Sequence, residues 1–287
     1  GIHLLVPRIS EVNRVLAFFA SDGRLFFAIP MANRTCIGTT DTRVDDPRTP
    51  ISDKDREFVL DNINARLNLE TPLSRRDIIA ERCGVRPLVV ETEDSGGEDF
   101  LQMSRKHVVE TLEEHRAINI FGGKLTDCVN VGLEVCEEVE RLGVALQEPE
   151  SHWYGEPSSD ERDRYLARAR ALGIDEDCAV DTGEPLSQRL WRRYGARAEQ
   201  VLEIIDADPS TRASTIAGSG LRRCEVIYMK DNEMVVTLED LLRRRSKIAL
   251  LRSREELEKS PGVDWICECL FGDDAQQRHG EYFAESD

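Results

Sequence analysis

Apolar positions along this chain alternate over short runs in the first third and recur every three to four residues in the last. Residues 3–7, 15–19, 25–30 and 35–39 are strand-sized runs rich in branched and aromatic side chains. The breaks between them are polar or carry glycine, and Ser21-Asp22-Gly23 reads as a hairpin turn. Ser52 then caps a helix, with Asp55 three positions on as its capping-box partner and Val59, Leu60, Ile63 and Leu67 as the apolar stripe. A strand over 78–86, an acidic glycine-bearing loop over 92–99 and a hairpin from 105–112 and 116–121 follow. Gly122-Gly123-Lys124-Leu125-Thr126 leads into a helix whose predicted buried stripe is Cys128, Gly132, Val135, Val139 and Leu142, with Gly143 as its stop.

Residues 147–160 mix Pro, Ser, Glu and Gly and read as a linker. Beyond it the pattern is helical: 161–172 ended by Gly173, 186–194 ended by Gly195, 197–205, a segment around 224–229, and 238–250 capped by Thr237. The predicted organisation is α+β: a mainly antiparallel sheet with a strand–helix unit over 1–146, the linker, and an all-α domain over 161–287.

Composition narrows the function. The 38 basic and 55 acidic residues leave a net charge of −17 with a pI near 4.9. Such a surface repels nucleic acid and anionic membrane, so neither is expected as a general partner. The basic residues are 32 Arg against six Lys, and Arg is the planar, permanently charged grip for carboxylate or phosphate. A genomic bias toward Arg is the plainer explanation. No apolar run approaches the ~20 residues that a spanning helix needs. Eight scattered cysteines form no Cys-x-x-Cys pair, so no metal site is expected, and Cys267-x-Cys269 reads as core filling. No secretory pattern opens the sequence, which makes reduced thiols in a cytoplasmic setting the expectation. Gly1 leads straight into an apolar run, as in the later part of something longer.

The candidate chemistry sits in the first half. Strand alternation puts Ile78, Ala80, Arg82, Gly84 and Arg86 on one side, with Pro87 ending the strand. Arg105, His107, Val109 and Thr111 share another face, where an Arg and a His can hold an anion and handle a proton. Surface ion pairs are the plain alternative for each. The Gly122-Gly123-Lys124 turn joins a strand end to a helix start, whose free N–H groups suit an anion or an electron-rich carbonyl. It lacks the spacing of a Walker loop, and a simple strand-to-helix turn explains it equally well. Gly218-Ser219-Gly220 imitates a dinucleotide fingerprint but lacks the third glycine and a preceding strand. Arg243-Arg244-Arg245 follows Glu239 and Asp240 and reads as an ion-paired or solvated face.

Six segments, taken in order, resemble the FAD-dependent glycerol-3-phosphate dehydrogenases and glycerophosphate oxidases. They are Gly1-Ile2-His3-Leu4-Leu5-Val6-Pro7-Arg8, Ile37-Gly38-Thr39-Thr40-Asp41, Gly84-Val85-Arg86-Pro87-Leu88, Ser104-Arg105-Lys106-His107, Gly122-Gly123-Lys124-Leu125-Thr126, and residues 237–245 with their Glu-Asp-x-Leu-x-Arg-Arg-like core. The resemblance implies a substrate-binding sheet, the closing strand and helix of a Rossmann-like FAD domain whose amino-terminal half is absent, and a helical carboxyl-terminal domain.

It implies hydride transfer from sn-glycerol 3-phosphate to FAD, giving dihydroxyacetone phosphate, with quinone or oxygen as final acceptor. Arg86, Arg105 and Lys124 would surround the phosphate, His3 would act as base or orienter at the hydroxyl, and His107 is a further substrate-binding candidate. Gly122, Gly123, Lys124, Leu125 and Thr126 would meet the cofactor, and no metal is implied. The whole protein would be cytoplasmic, with peripheral contact at the inner face of the inner membrane and a homodimer both admitted. Without the dinucleotide fingerprint, the chain as given is expected neither to hold FAD stably nor to act alone. One departure stands out: the family often continues its Gly-Gly-Lys loop with Thr-Tyr-Arg, where this chain has Asp127-Cys128-Val129, which weakens the local positive field. Two alternatives stay open: a flavin oxidoreductase of another small anion, such as an amino or hydroxy acid, and a non-catalytic anion-binding module without flavin.

Overall fold

The computed structural model describes residues 1–85, 106–147, 157–176 and 184–284. The fold is α+β. Five strands form one sheet: β1 (Ile2–Pro7), β2 (Leu16–Phe19), β3 (Leu25–Met31), β4 (Arg34–Gly38) and β5 (Ala80–Cys83), in the order β2-β3-β4-β1-β5. Neighbouring strands run antiparallel, with Leu5 opposite Cys36 and Cys36 opposite Ile29. Leu4, Leu5 and Val6 are all fully buried, so β1 is covered on both faces. That is why its sequence is a continuous apolar run rather than an alternation. On the edge strand β2, Leu16 and Phe19 are exposed.

The predicted strand over 78–86 is shorter than its apolar pattern. It pairs with β1 through the Ile79 N–H to the Leu5 carbonyl at 2.8 Å and the Gly84 N–H to the Gly1 carbonyl at 3.1 Å. Helix α1 (Asp53–Arg66) starts as expected: the Asp55 N–H donates to Ser52 Oγ at 3.1 Å, and Ser52 Oγ donates to the Asp55 carboxylate at 2.6 Å. It buries Val59, Leu60 and Ile63, and Asn62 Oδ1 accepts the Ser21 N–H at 2.7 Å.

The second hairpin pairs β6 (His107–Leu112) with β7 (Ala117–Gly122), His107 opposite Gly122. A short 3₁₀ turn, Leu125–Asp127, leads into α2 (Cys128–Arg141). None of the residues of α2 is buried, which corrects the predicted buried stripe. The first helix of the helical domain opens two residues earlier than expected, because Ser158 accepts the Glu161 N–H and caps α3 (Ser159–Ala171). Then come α4 (Leu186–Tyr194), α5 (Ala198–Ala207), α6 (Arg223–Asn232), α7 (Ile248–Leu251), α8 (Arg254–Glu258), α9 (Pro261–Phe271) and α10 (Ala275–Ala284).

Two apolar clusters hold this domain together. One is built around Tyr165, Leu190, Leu202 and Cys224, the other around Met229, Leu241, Val263 and Ile266. Beside them, Glu225 has no exposed surface and is held by Arg189 at 2.7 Å, Arg193 at 3.2 Å, Tyr194 Oη at 3.2 Å and the Arg222 N–H at 2.9 Å. The predicted helix over 238–250 is broken. Its start forms, with the Thr237 N–H donating to Asp240 Oδ2 at 2.8 Å, but Asp240–Arg245 winds as a π-helix. Ser246 Oγ then meets the carbonyls of Leu241 at 2.7 Å and Leu242 at 3.2 Å and ends the helix there.

The chain divides into two compact units that interleave along the sequence. One comprises Gly1–Ile2, Thr39–Phe58 and Arg82–His152, the other His3–Gly38, Val59–Glu81 and Trp153–Asp287. Among the described residues, no helix is long and apolar enough to cross a membrane.

Candidate functional site

The strongest sequence candidate, the double-glycine turn, is built on the β6–β7 hairpin. Gly122 and Gly123 carry φ of +65° and +83°, a backbone that other residues rarely adopt. A Cβ on Gly123 would stand 2.9 Å from the Cβ of His107, so the turn folds directly onto the first residue of β6. Lys124 follows in extended backbone, exposed, and makes no ion pair among the described residues. It leaves a cation on the turn, next to the first N–H groups of the 3₁₀ turn and α2.

Behind the turn lies His107, only 6% exposed. Its Nδ1 is 2.9 Å from Asp127 Oδ2 and its Nε2 is 2.6 Å from Glu134 Oε2. The hydrogen bond to Glu134, then that to Asp127, raise the proton affinity of the ring against the opposing effect of desolvation. The carboxyl of Asp127 is pushed below its ordinary range by the Asn130 amide first and by His107 second, with Lys124 adding its charge. Four residues along β6, Thr111 Oγ1 donates to Glu138, one helical turn after Glu134. Strand alternation therefore placed His107 and Thr111 on one face, and that face meets the carboxylates of α2.

The apolar side of α2 is left open. Cys128, Val131, Gly132 and Val135 join Ile120, Lys124 and Leu125 around a shallow depression of about 470 Å³. Nothing lies within 4 Å of the place where a Cβ on Gly132 would stand, so a flat group can approach the helix backbone there. Bare backbone, apolar walls and an exposed cation at the rim fit the requirements of a planar, polar-edged cofactor such as flavin.

The sequence-predicted residues distribute as follows. Gly122, Gly123, Lys124 and Leu125 line the depression, and Thr126 lies exposed beside them. His107 belongs to the same unit, but both its nitrogens are engaged by carboxylates. His3 is half-buried on β1, opposite Gly38. Arg86 and Arg105, and the loop over 92–99, lie outside the described residues. Sequence reasoning missed Asp127 and Glu134 as the partners of His107. The one available signal was the acidic residue that follows the double-glycine loop.

The other singled-out segments have structural roles. Arg244 pairs with Asp240 and Glu239, and Arg245 with Glu233. Gly218-Ser219-Gly220 closes a tight loop in which Thr215 N–H donates to the Leu221 carbonyl at 2.9 Å. Burial pushes the Cys267 thiol up to about 11 and the Cys224 thiol up to about 12, which keeps both protonated packing groups.

Known proteins similar to this chain come from the family that its motifs resemble. Residues 158–278 match the family model described as the C-terminal domain of alpha-glycerophosphate oxidase. The mitochondrial glycerol-3-phosphate dehydrogenase of Mesocricetus auratus is 27% identical over 281 residues, covering 92% of this chain and 36% of that protein. Glycerol-3-phosphate dehydrogenase 2 of Mycobacterium tuberculosis is 28% identical over 272 residues, covering 87% of this chain and 41% of its own length. The chain thus spans about two-fifths of these relatives. In fold, it matches the crystal structure of the glycerol-3-phosphate dehydrogenase from Bacillus halodurans complexed with FAD, with a TM-score of 0.66 at 23% identity, over 99% of this chain and 55% of that one.

Proposed function

We propose that the chain is the C-terminal portion of a FAD-dependent glycerol-3-phosphate dehydrogenase or glycerophosphate oxidase, to which it is similar, and that it serves the oxidation of sn-glycerol 3-phosphate to dihydroxyacetone phosphate. The observation that carries this reading is the exposed cation Lys124 on a double-glycine turn, at the rim of an apolar depression with bare helix backbone at Gly132. In this reading β7 and α2 close the flavin domain, and the uncovered stripe of α2 packs against the rest of it. The Gly122–Thr126 turn and the start of α2 hold the cofactor, and the helix dipole offers positive potential to its charge. FAD, when bound, supplies the two-electron acceptor that takes the hydride from C2.

The residues of this chain do the rest. Arg86, Arg105 and Lys124 grip the phosphate dianion, Arg by paired N–H donors and Lys as a point charge. His3 orients the C2 hydroxyl and receives its proton as the C2 hydride leaves, so that one hydride and one proton depart together. The domain boundary at 147–160, a quinone or oxygen as final acceptor, and a cytoplasmic protein with peripheral membrane contact, open to homodimer formation, complete the reading.

The test uses FAD-loaded protein containing this chain. Losing a charged partner of the phosphate costs about 2–5 kcal/mol. Arg86→Ala and Lys124→Ala therefore raise the KM for glycerol 3-phosphate by tenfold or more. An unaltered KM for the phosphate ester removes the substituted residue from the site, and the loss of both residues in this way overturns the reading.

A further inference from the structure

A ring with a carboxylate on each nitrogen is constrained in its protonation. A carboxylate only accepts, and a neutral imidazole has only one N–H to give. The contacts of His107, 2.9 Å to Asp127 and 2.6 Å to Glu134, are both satisfied when the ring carries two protons. Asp127 is the last residue before α2, and Glu134 lies two turns into it. One side chain thus ties two points of the helix to the first residue of β6. That same residue pairs with Gly122, and its Cβ is what Gly123 rests against.

We propose that His107 is a positioning residue: an imidazolium bridge between Asp127 and Glu134 that locks the Gly122–Gly123–Lys124 turn and the start of α2 onto β6, and does not itself touch the substrate. The consequence for the substrate rests on the reading of the turn as an anion subsite; the bridge itself does not. The bridge also settles the departure at Asp127. A carboxylate at a helix start would oppose an incoming anion, but here its charge is spent on His107 and Asn130.

The charges around the ring can be named. From α2 come Asp127 and Glu134, while Glu138 is turned to Thr111. On β6 and just before it, Glu110 and Lys106 are exposed, and Lys124 on the turn acts through Asp127. The two carboxylates raise the ring above its ordinary value of 6.5. A raised histidine contributes fully below its unfolded value, and the contribution is lost as pH climbs through the folded one.

The experiment is amide exchange on the full chain, corrected for the intrinsic rate, with the His107 ring titrated by NMR. The ring is expected to be charged at pH 7, and protection of amides 122–127 to fall as pH rises through its titration. His107→Asn exchanges these amides at least tenfold faster at pH 7 with no such pH step, while amides of α5 are unchanged. A neutral ring at pH 7, or a protection profile without the step in the wild type, overturns the bridge. If His107→Asn unfolds its unit, Glu134→Gln decides: a lowered ring titration with faster exchange at 122–127 supports the bridge, and no change in either overturns it. Glycerol 3-phosphate is then added to the wild type. Failure to perturb Lys124 counts against the substrate reading and leaves the bridge standing, whereas a direct ligand contact to the His107 ring overturns the positioning role.

Discussion

The β6–β7–α2 region and the helical domain solve opposite problems with the same kind of sequence. In the helical domain, apolar stripes face inward and are covered, and the wholly buried carboxylate of Glu225 is surrounded by donors. In α2 the relation is inverted. Its carboxylates reach the hairpin, and its apolar side, from Cys128 through Val131 to Val135, stays open. Equal apolar periodicity therefore does not mean equal burial. The helical domain carries its own core, whereas α2 displays a surface that another group or chain segment would complete.

The largest test of this contrast is Glu225→Ala. It leaves Arg189 and Arg193 without their shared carboxylate, which should cost about 3–5 kcal/mol. Denaturant unfolding of the helical domain, followed by the fluorescence of Trp191 and Trp265, reads the effect, and a loss below 1 kcal/mol would show the network to be dispensable. Next, Leu202→Ala removes a fully buried side chain and should cost about 2–5 kcal/mol in the same measurement. The smallest effect belongs to Leu133→Ser on α2. Leu133 is 57% exposed, so the change should stay within about 0.5 kcal/mol. A large loss there would mean that α2 is already covered, and the contrast would fail.

Much of this was legible in the sequence, for physical reasons that differ by element. The Ser21–Gly23 turn and the Ser52 cap are local: their hydrogen bonds join residues within four positions, so residue type alone predicts them. Strand alternation likewise put His107 and Thr111 on one face. What failed was non-local. Periodicity shows which side of α2 is apolar but not what covers it, so Cys128, Gly132, Val135, Val139 and Leu142 were assigned to a core that the described residues do not form. The break at Ser246 depends on one hydroxyl reaching two carbonyls, which an apolar pattern does not encode. The partners of His107 sit 20 and 27 residues away, and only the fold brings them to it. For Arg86 and Arg105, proposed as the grip on the phosphate, residue order alone carries the assignment, since both lie outside the described residues.

Cys128 stands exposed at the lip of the depression, while the thiols of Cys224 and Cys267 are sealed inside the helical domain. With the exposed Cys83 and Cys136 replaced, a thiol-directed dye would therefore mark Cys128 and spare the two buried thiols. Its labelling speed becomes a gauge of occupancy: fast when the face of α2 lies bare, slow when a cofactor or a neighbouring stretch of polypeptide shields it.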